Sequence, residues 1–203
     1  MAMDAITLAL VVLLALIVIL AFFFISTFNR LQSLKNGAEA TLSQIRVAMK
    51  KRLDMVEQLV ESTKYYAHFE RDILERLTKM RASIGNASPE DLTKIYGASK
   101  GLVGNVMAVA ESYPNLKTSE AVMATMSAIR DVEDEISRHR YTYNNITQEF
   151  NTLLDTFPSN IMASFTRARR MDYLNFEADE LRRRGYLSPD ASLEPGRPEV
   201  KWE

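Results

Sequence analysis

Cysteine is absent from all 203 residues, so the chain can hold no disulfide framework, no thiolate metal site and no thiol nucleophile. Glycine and proline are scarce, at 7 and 6, and no stretch alternates apolar with polar; strand-and-turn architectures are thereby excluded in favour of long helices. An excess of charge of one sign is missing too. Basic residues number 25 and acidic residues 26, and with Asp4 set aside the chain beyond residue 28 is balanced. That balance removes the electrostatic footprint that nucleic acid requires as a partner.

Catalytic constellations are equally absent. A di-iron bundle needs Glu-x-x-His pairs, but Tyr65 stands three residues before His68 and Ile136 three before His139. Glu135 and His139 share one helix face, yet two ligands fall short of a protein-built metal site, and the pair reads as solvated or hydrogen-bonded. Serines sit at helix starts rather than on strained elbows. The glycines of residues 97–104 (GASKGLVG) follow no strand and make no phosphate loop. The expectation is a non-enzyme with no catalytic residue, no metal ligand and no cofactor.

What the chain has is one long apolar run. From Ala5 to Asn29 it carries no charged side chain, and about 20 apolar residues suffice to cross a bilayer as a helix. A cleaved signal peptide fits poorly, because the start holds Asp4 and no basic residue and the run ends in Phe22, Phe23 and Phe24. Basic residues occur only after the run, beginning with Arg30 and Lys35, which predicts an external N-terminus and a cytoplasmic folded part in the cell membrane. The organisation expected is a short external N-terminus at 1–4, a transmembrane helix at 5–29, an antiparallel bundle of about four long helices at 30–184 and an extended or disordered tail at 185–203.

The first soluble helix is expected from Asn29 to Ile84, stopped by Gly85 and Asn86. Its seam steps 3, 4, 4 from Leu31 to Leu53 and becomes heptad-like beyond. Ser88-Pro89-Glu90-Asp91 is a helix start, with Ser88 as cap and Pro89 at the first position. The second helix, 89–112, carries Leu92, Ile95, Leu102, Val106 and Val109 inward, and Gly97, Gly101 and Gly104 are read as marks of close helix approach. A third helix, 119–157, lines up Val122, Met126, Ile129, Ile136, Tyr143, Phe150, Leu154 and Phe157. Glu133, Arg140 and Thr147 lie on the same stripe and must be paired or at its edge. A fourth, restarted at Pro158-Ser159-Asn160 with Asn160 or Ser159 as cap and running to about Arg184, contributes Ile161, Met162, Phe165, Leu174 and Phe176.

Two contact surfaces follow. The second helix, about 24 residues long, covers only about 36 Å of the first, and the third is expected to head away again. Leu31, Leu34, Ala38, Leu42 and Ile45 would then lack a partner in their own chain, which predicts a homo-oligomer held through this seam. Arg167, Arg169 and Arg170, interleaved with Phe165, Met171, Tyr173 and Leu174, form a candidate contact for anionic lipid or a protein partner. Tyr143-Asn144 and Phe150-Asn151, seven residues apart, read as a register device.

The chain resembles the LemA proteins over nearly its whole soluble length. The resemblance rests on Ser43-Gln44-Ile45, Lys50-Lys51-Arg52, Leu59-Val60-Glu61 and residues 64–70 (KYYAHFE) in the first helix. Further along it rests on residues 113–117 (YPNLK), Glu133, Ile136, Arg140, Tyr143-Asn144, Phe150-Asn151 and residues 157–161 (FPSNI), then Phe176-Glu177-Ala178 and residues 198–202 (PEVKW). It implies a membrane-anchored antiparallel helical bundle and no established activity. Glu57 stands where that family commonly has Pro, and Leu42 where it commonly has Trp; the first suggests a straighter helix. The function expected is a non-catalytic, self-associating scaffold at the membrane, with an accessory subunit of a membrane enzyme, transporter or quality-control complex as the alternative.

The topology is directly testable in a protein without native thiols. A cysteine placed at Ala2 should react with a membrane-impermeant thiol reagent on intact cells and one at Ser188 should not. The reverse pattern would overturn the cytoplasmic assignment.

Overall fold

A computed structural model of the chain describes residues 5–63, 70–113 and 119–175. Expectations for His68, for the helix break at 114–118, for the fourth helix beyond residue 175 and for the tail with Val200 and Trp202 lie outside these residues. The described part is all-α: α1 (Ala5–Thr63), α2 (Glu70–Ile84), α3 (Pro89–Ser112), α4 (Glu120–Asp155) and α5 (Ser159–Phe165), with no strand among the described residues. It divides into two compact units, Met1–Thr41 with Thr142–Asp172, and Leu42–Tyr141 with Tyr173–Glu203.

In the second unit, α1 and α2 form an antiparallel hairpin. Arg81 reaches back to Asp54 and Glu57, the latter at 2.8 Å, and Arg46 Nη2 donates to the Ala87 carbonyl at 2.8 Å. The single first helix expected through Ile84 is therefore two. Periodicity could not show this, because Val56 and Val60 on one arm and Leu77 and Ile84 on the other keep helical spacing whether the chain runs straight or folds back. Glu57 leaves α1 unbroken at the position where proline would disturb it.

α3 starts as its sequence dictates. The Asp91 N–H donates to Ser88 Oγ at 3.1 Å, and the Ser88 hydroxyl returns a bond to Asp91 Oδ2 at 2.7 Å. The Ser88 hydroxyl and, more weakly, the Ser88 N–H donate to the Asp91 carboxylate and hold it below its ordinary pKa, so these two bonds contribute above the usual carboxylate range and are lost as pH falls through the lowered value. Leu92, Leu102 and Val106 are buried as expected, but Gly101 and Gly104 do not mark a close approach. A Cβ at Gly101 or Gly104 would meet nothing within 4 Å.

One buried charge ties α1, α3 and α4 together in this unit. The Arg52 side chain is 1 % exposed; Nη2 donates to Glu133 Oε1 at 2.7 Å, Nη1 to Ser99 Oγ, and the guanidinium lies 5.1 Å from the centre of the Tyr96 ring. Glu133, expected to be paired on its stripe, is paired here. Next to it Lys51 Nζ meets Glu135 Oε2 at 3.3 Å.

The first unit contains the apolar run of α1, whose side chains from Leu8 to Ile25 point outward around the helix and include Leu13, Ile17, Ile19 and Phe22 at more than half exposure. This is the one helix among the described residues long and apolar enough to cross a membrane. Beyond it α4 lies antiparallel: Arg30 Nε meets Glu149 Oε1 at 2.9 Å, and Ile146 Cδ1 would stand 3.7 Å from a Cβ at Gly37. Leu31 and Leu34 form a core with Phe150 and Ala163, flanked by Ile146, Leu154 and Met162.

The premise behind the seam contact is thus corrected. Leu31, Leu34 and Ala38 in this unit, and Ile45 in the second, are buried within the single chain, with Leu42 half-buried. Because α2 already turns back, α3 is the outgoing helix and α4 the returning one, so α4 runs toward the span instead of away from it.

α5 also departs from expectation. It is seven residues long and ends at Phe165, not at Arg184, and it begins after Pro158 without a side-chain cap. The Ala168 N–H bonds to the Ala163 carbonyl at 3.0 Å and the Arg167 N–H to that of Ser164 at 3.2 Å, while Arg167 takes φ 51°. This is a Schellman closure with arginine in the left-handed position that glycine usually occupies.

Gly101→Ala and Gly104→Ala should each raise stability by about 0.5–1 kcal/mol, because a methyl group fits and the unfolded chain loses freedom. Thermal or denaturant unfolding of the two variants checks this. Destabilisation by either would mean a neighbour does pack there.

Candidate membrane-surface site

After the closure at Arg167, residues 168–175 run without helix and are fastened to α4. Asn151 is buried and grips Met171 twice: its Nδ2 donates to the Met171 carbonyl at 3.0 Å and its Oδ1 accepts from the Met171 N–H at 2.9 Å. One turn-pair earlier on the same helix, Tyr143 Oη donates to the Asp172 carbonyl at 3.1 Å. Tyr143 and Asn151, one from each half of the seven-residue repeat, hold non-helical backbone rather than side chains of a neighbouring helix.

This clamp lays the segment beside the start of the soluble part of α1 and opens a groove of about 370 Å³ within the first unit. Its floor is apolar, from Phe28, Leu31, Phe150 and Met171; its polar rim is Gln32, Lys35, Thr166, Arg167 and Arg169. No acidic side chain among the described residues lines it. Lys35, Arg167 and Arg169 are exposed and carry no ion pair among the described residues, whereas the basic groups beside them are neutralised: Arg30 by Glu149, and Arg170 by Asp155 at 2.7 Å.

Of the basic trio singled out in the sequence, the structure brings Arg167 and Arg169 together and turns Arg170 aside. Lys35, which completes the set, was not singled out, because it lies 132 positions away in the chain and only the α1–α4 pairing joins it to the others. A second feature was missed. Phe157, Ile161 and Phe165, assigned to the core as members of helical stripes, are 80 %, 50 % and 88 % exposed. Because α4 ends at Asp155 and the chain turns, Phe157 leaves the stripe that buries Tyr143 and Phe150.

The other sequence candidates stay structural. His139 Nε2 lies 3.9 Å from Glu135 Oε1, whose carboxylate is shared with Lys51, and among the described residues no three His, Cys, Asp or Glu gather where a metal could sit.

A helical bundle built on one long helix apolar enough to cross a membrane, with its polar chemistry in ion pairs, defines the class. The chain belongs to the LemA family, whose profile matches residues 41–185. It is 27 % identical over 168 residues to Protein LemA of Metamycoplasma hominis, an alignment that takes in 79 % of this chain and 73 % of that one. It is also similar to Magnetosome protein MamQ of Magnetospirillum gryphiswaldense, at 24 % identity over 183 residues, 75 % of this chain and 67 % of the relative.

Asn151→Asp should unfasten the clamp, since a carboxylate cannot donate to the Met171 carbonyl and repels it. The expected loss is about 1–3 kcal/mol in thermal unfolding, with faster proteolytic cutting between residues 166 and 175. Unchanged cutting would show that the segment is held by something other than Asn151.

Proposed function

We propose that this membrane-associated LemA-family chain is a non-catalytic scaffold, a self-associating platform that holds helix faces at the bilayer, with its N-terminus outside and its folded part in the cytoplasm. The observation that carries this reading is α1 itself. One helix, Ala5–Thr63, is apolar on all sides where it would meet lipid and then becomes the packing helix on which each unit builds its core. Such a chain tethers its folded part directly, without a linker.

Leu31, Leu34, Ala38 and Ile45 are engaged in the chain's own core, so copies would meet through outward side chains. In the second unit Val47 and Tyr141 are large, apolar and 64 % and 71 % exposed. The same faces suit the alternative, an accessory subunit whose partner is a membrane enzyme, transporter or quality-control complex. Purification in mild detergent separates the two. A particle of several self-copies alone supports the scaffold, a stoichiometric enzyme or transporter supports the accessory role, and a bare monomer sinks both.

For the self-association reading, Val47→Arg with Tyr141→Arg should reduce the particle mass while helicity is kept. The triple substitution Leu34, Leu42 and Ile45 to Ser should instead lower the melting temperature, at a cost of several kcal/mol, since two of the three side chains are core. A parent-like melting curve for that triple variant would contradict the intrachain packing described above.

A further inference from the structure

We infer that the foot of the first unit is a binding site for an anionic glycerophospholipid of the bilayer that α1 crosses. Phe157, Ile161 and Phe165 lodge among acyl chains, and Lys35, Arg167 and Arg169 hold the headgroup phosphate over the groove. The inference rests on the reading of α1 as a membrane span and deepens it from a single crossing helix to a span with a second, interfacial contact beside it.

Depth is the first argument. Arg30 and Glu149 pair across α1 and α4. From Glu149 the helix runs on to Asp155, about 9 Å further, so it ends level with the last turns of the apolar run of α1. The turn that carries Phe157 therefore lies about 7.5 Å short of Asn29, where the run ends, and so within the outer part of the hydrocarbon, while α5 packs Ala163 against Leu31 and Leu34. In the other direction Lys35 stands about 9 Å beyond Asn29, where the run ends, so its long side chain reaches back into a headgroup layer of about 5–8 Å per leaflet.

Exposure is the second. Phe157, Ile161 and Phe165 are spaced four apart, and the two phenylalanines are at least 80 % exposed. Apolar side chains scattered singly over a surface need no explanation, but three on one short turn and helix beside a membrane span do. Water is a poor medium for them, and the bilayer is already there.

Charge is the third. The groove has on its rim three cations without an ion pair among the described residues, the amide of Gln32 beside them, and an apolar floor that starts at Phe28, the last aromatic of the run. A phosphodiester with an acyl chain matches that layout, polar at the rim and apolar at the floor. A soluble anion would leave the floor and the three exposed side chains without a partner. Basic residues at this depth favour anionic over zwitterionic lipid, and three of them should give a preference of roughly tenfold or more.

The lack of native cysteine makes the test direct. The full chain, in nanodiscs of phosphatidylcholine with phosphatidylglycerol, carries a bimane label on a single cysteine introduced as Ile161→Cys or Phe165→Cys, and on Asn145→Cys as an exposed control. Labels at 161 and 165 should emit as in an apolar medium and be quenched by lipids brominated on the acyl chain; the label at 145 should not. Native mass spectrometry of the detergent-extracted protein should then find phosphatidylglycerol retained over phosphatidylcholine, and the triple variant Lys35→Gln, Arg167→Gln, Arg169→Gln should lose that preference while its circular dichroism stays the same.

Aqueous emission at 161 and 165 overturns the proposal, as does equal retention of the two lipids. Two further outcomes also overturn it by naming another occupant. Disulfide cross-linking between copies through Phe165→Cys would mean a second chain covers the patch, and displacement of phosphatidylglycerol by glycerol 3-phosphate would mean a free phosphate fills the groove. None of these results would touch the scaffold reading, which is decided by particle composition.

Discussion

The apolar seam of α1 has to leave water over nearly its whole length beyond the span, and the other helices take their directions from that demand. In the first unit it is met by Phe150 of α4 and Ala163 of α5 against Leu31 and Leu34. In the second, Leu53, Val56 and Val60 are buried together with Leu77 and Ile84 of α2, Leu92 of α3 and Ile129 of α4. At roughly 25 cal/mol per Å² of apolar surface, burying any one of these large side chains contributes about 1.5–3 kcal/mol. Ion pairs on the outside, such as Lys79 with Glu75 or Lys94 with Glu90, are screened by water and cannot direct the fold.

Arg52 shows where polar chemistry does direct it. The apolar stripes would tolerate a slip of one helix along another, because leucine against leucine is poorly selective. A buried guanidinium that must meet Glu133, Ser99 and Tyr96 at once permits one register for α3 and α4 against α1. Its net worth in stability is small or negative, since desolvating the charge offsets the attraction. What it supplies is specificity, and its Nε, left without a hydrogen-bond partner, marks the cost. Asn151 does the same for extended backbone, at the lower cost of a neutral amide.

Much of this was legible in the sequence because it is written locally. The span follows from uninterrupted apolar length, the start of α3 from Ser88, Pro89 and Asp91, and the inward stripe of α4 from period alone. Two errors arose where the same local pattern serves two global arrangements. The spacing from Val56 to Ile84 fits one helix or a hairpin of two, and choosing the first reversed the direction assigned to every later helix. That one choice turned a covered seam into an apparent interface. The basic groove was half legible for a related reason: Arg167 and Arg169 are neighbours in sequence, but Lys35 joins them only once α4 is known to return.

The end of α5 is where local and global preference conflict. Residues 159–184 read as one continuous helix, and continuing it would have kept Ile161 and Phe165 on a helical stripe. The chain instead stops after seven residues and places Arg167 in a left-handed conformation that costs about 1–2 kcal/mol for a residue with a Cβ. Ala168 and Met171 settling against the Leu31–Phe150 core, and the paired bonds of Asn151 to Met171, offset that cost inside the protein. They do nothing for Phe157 and Phe165, which remain outward. A sequence under selection only for a soluble core would place small or polar residues there. Large aromatics there are what the proposed lipid contact requires, the bilayer then taking for this turn the packing role that α4 takes for the seam.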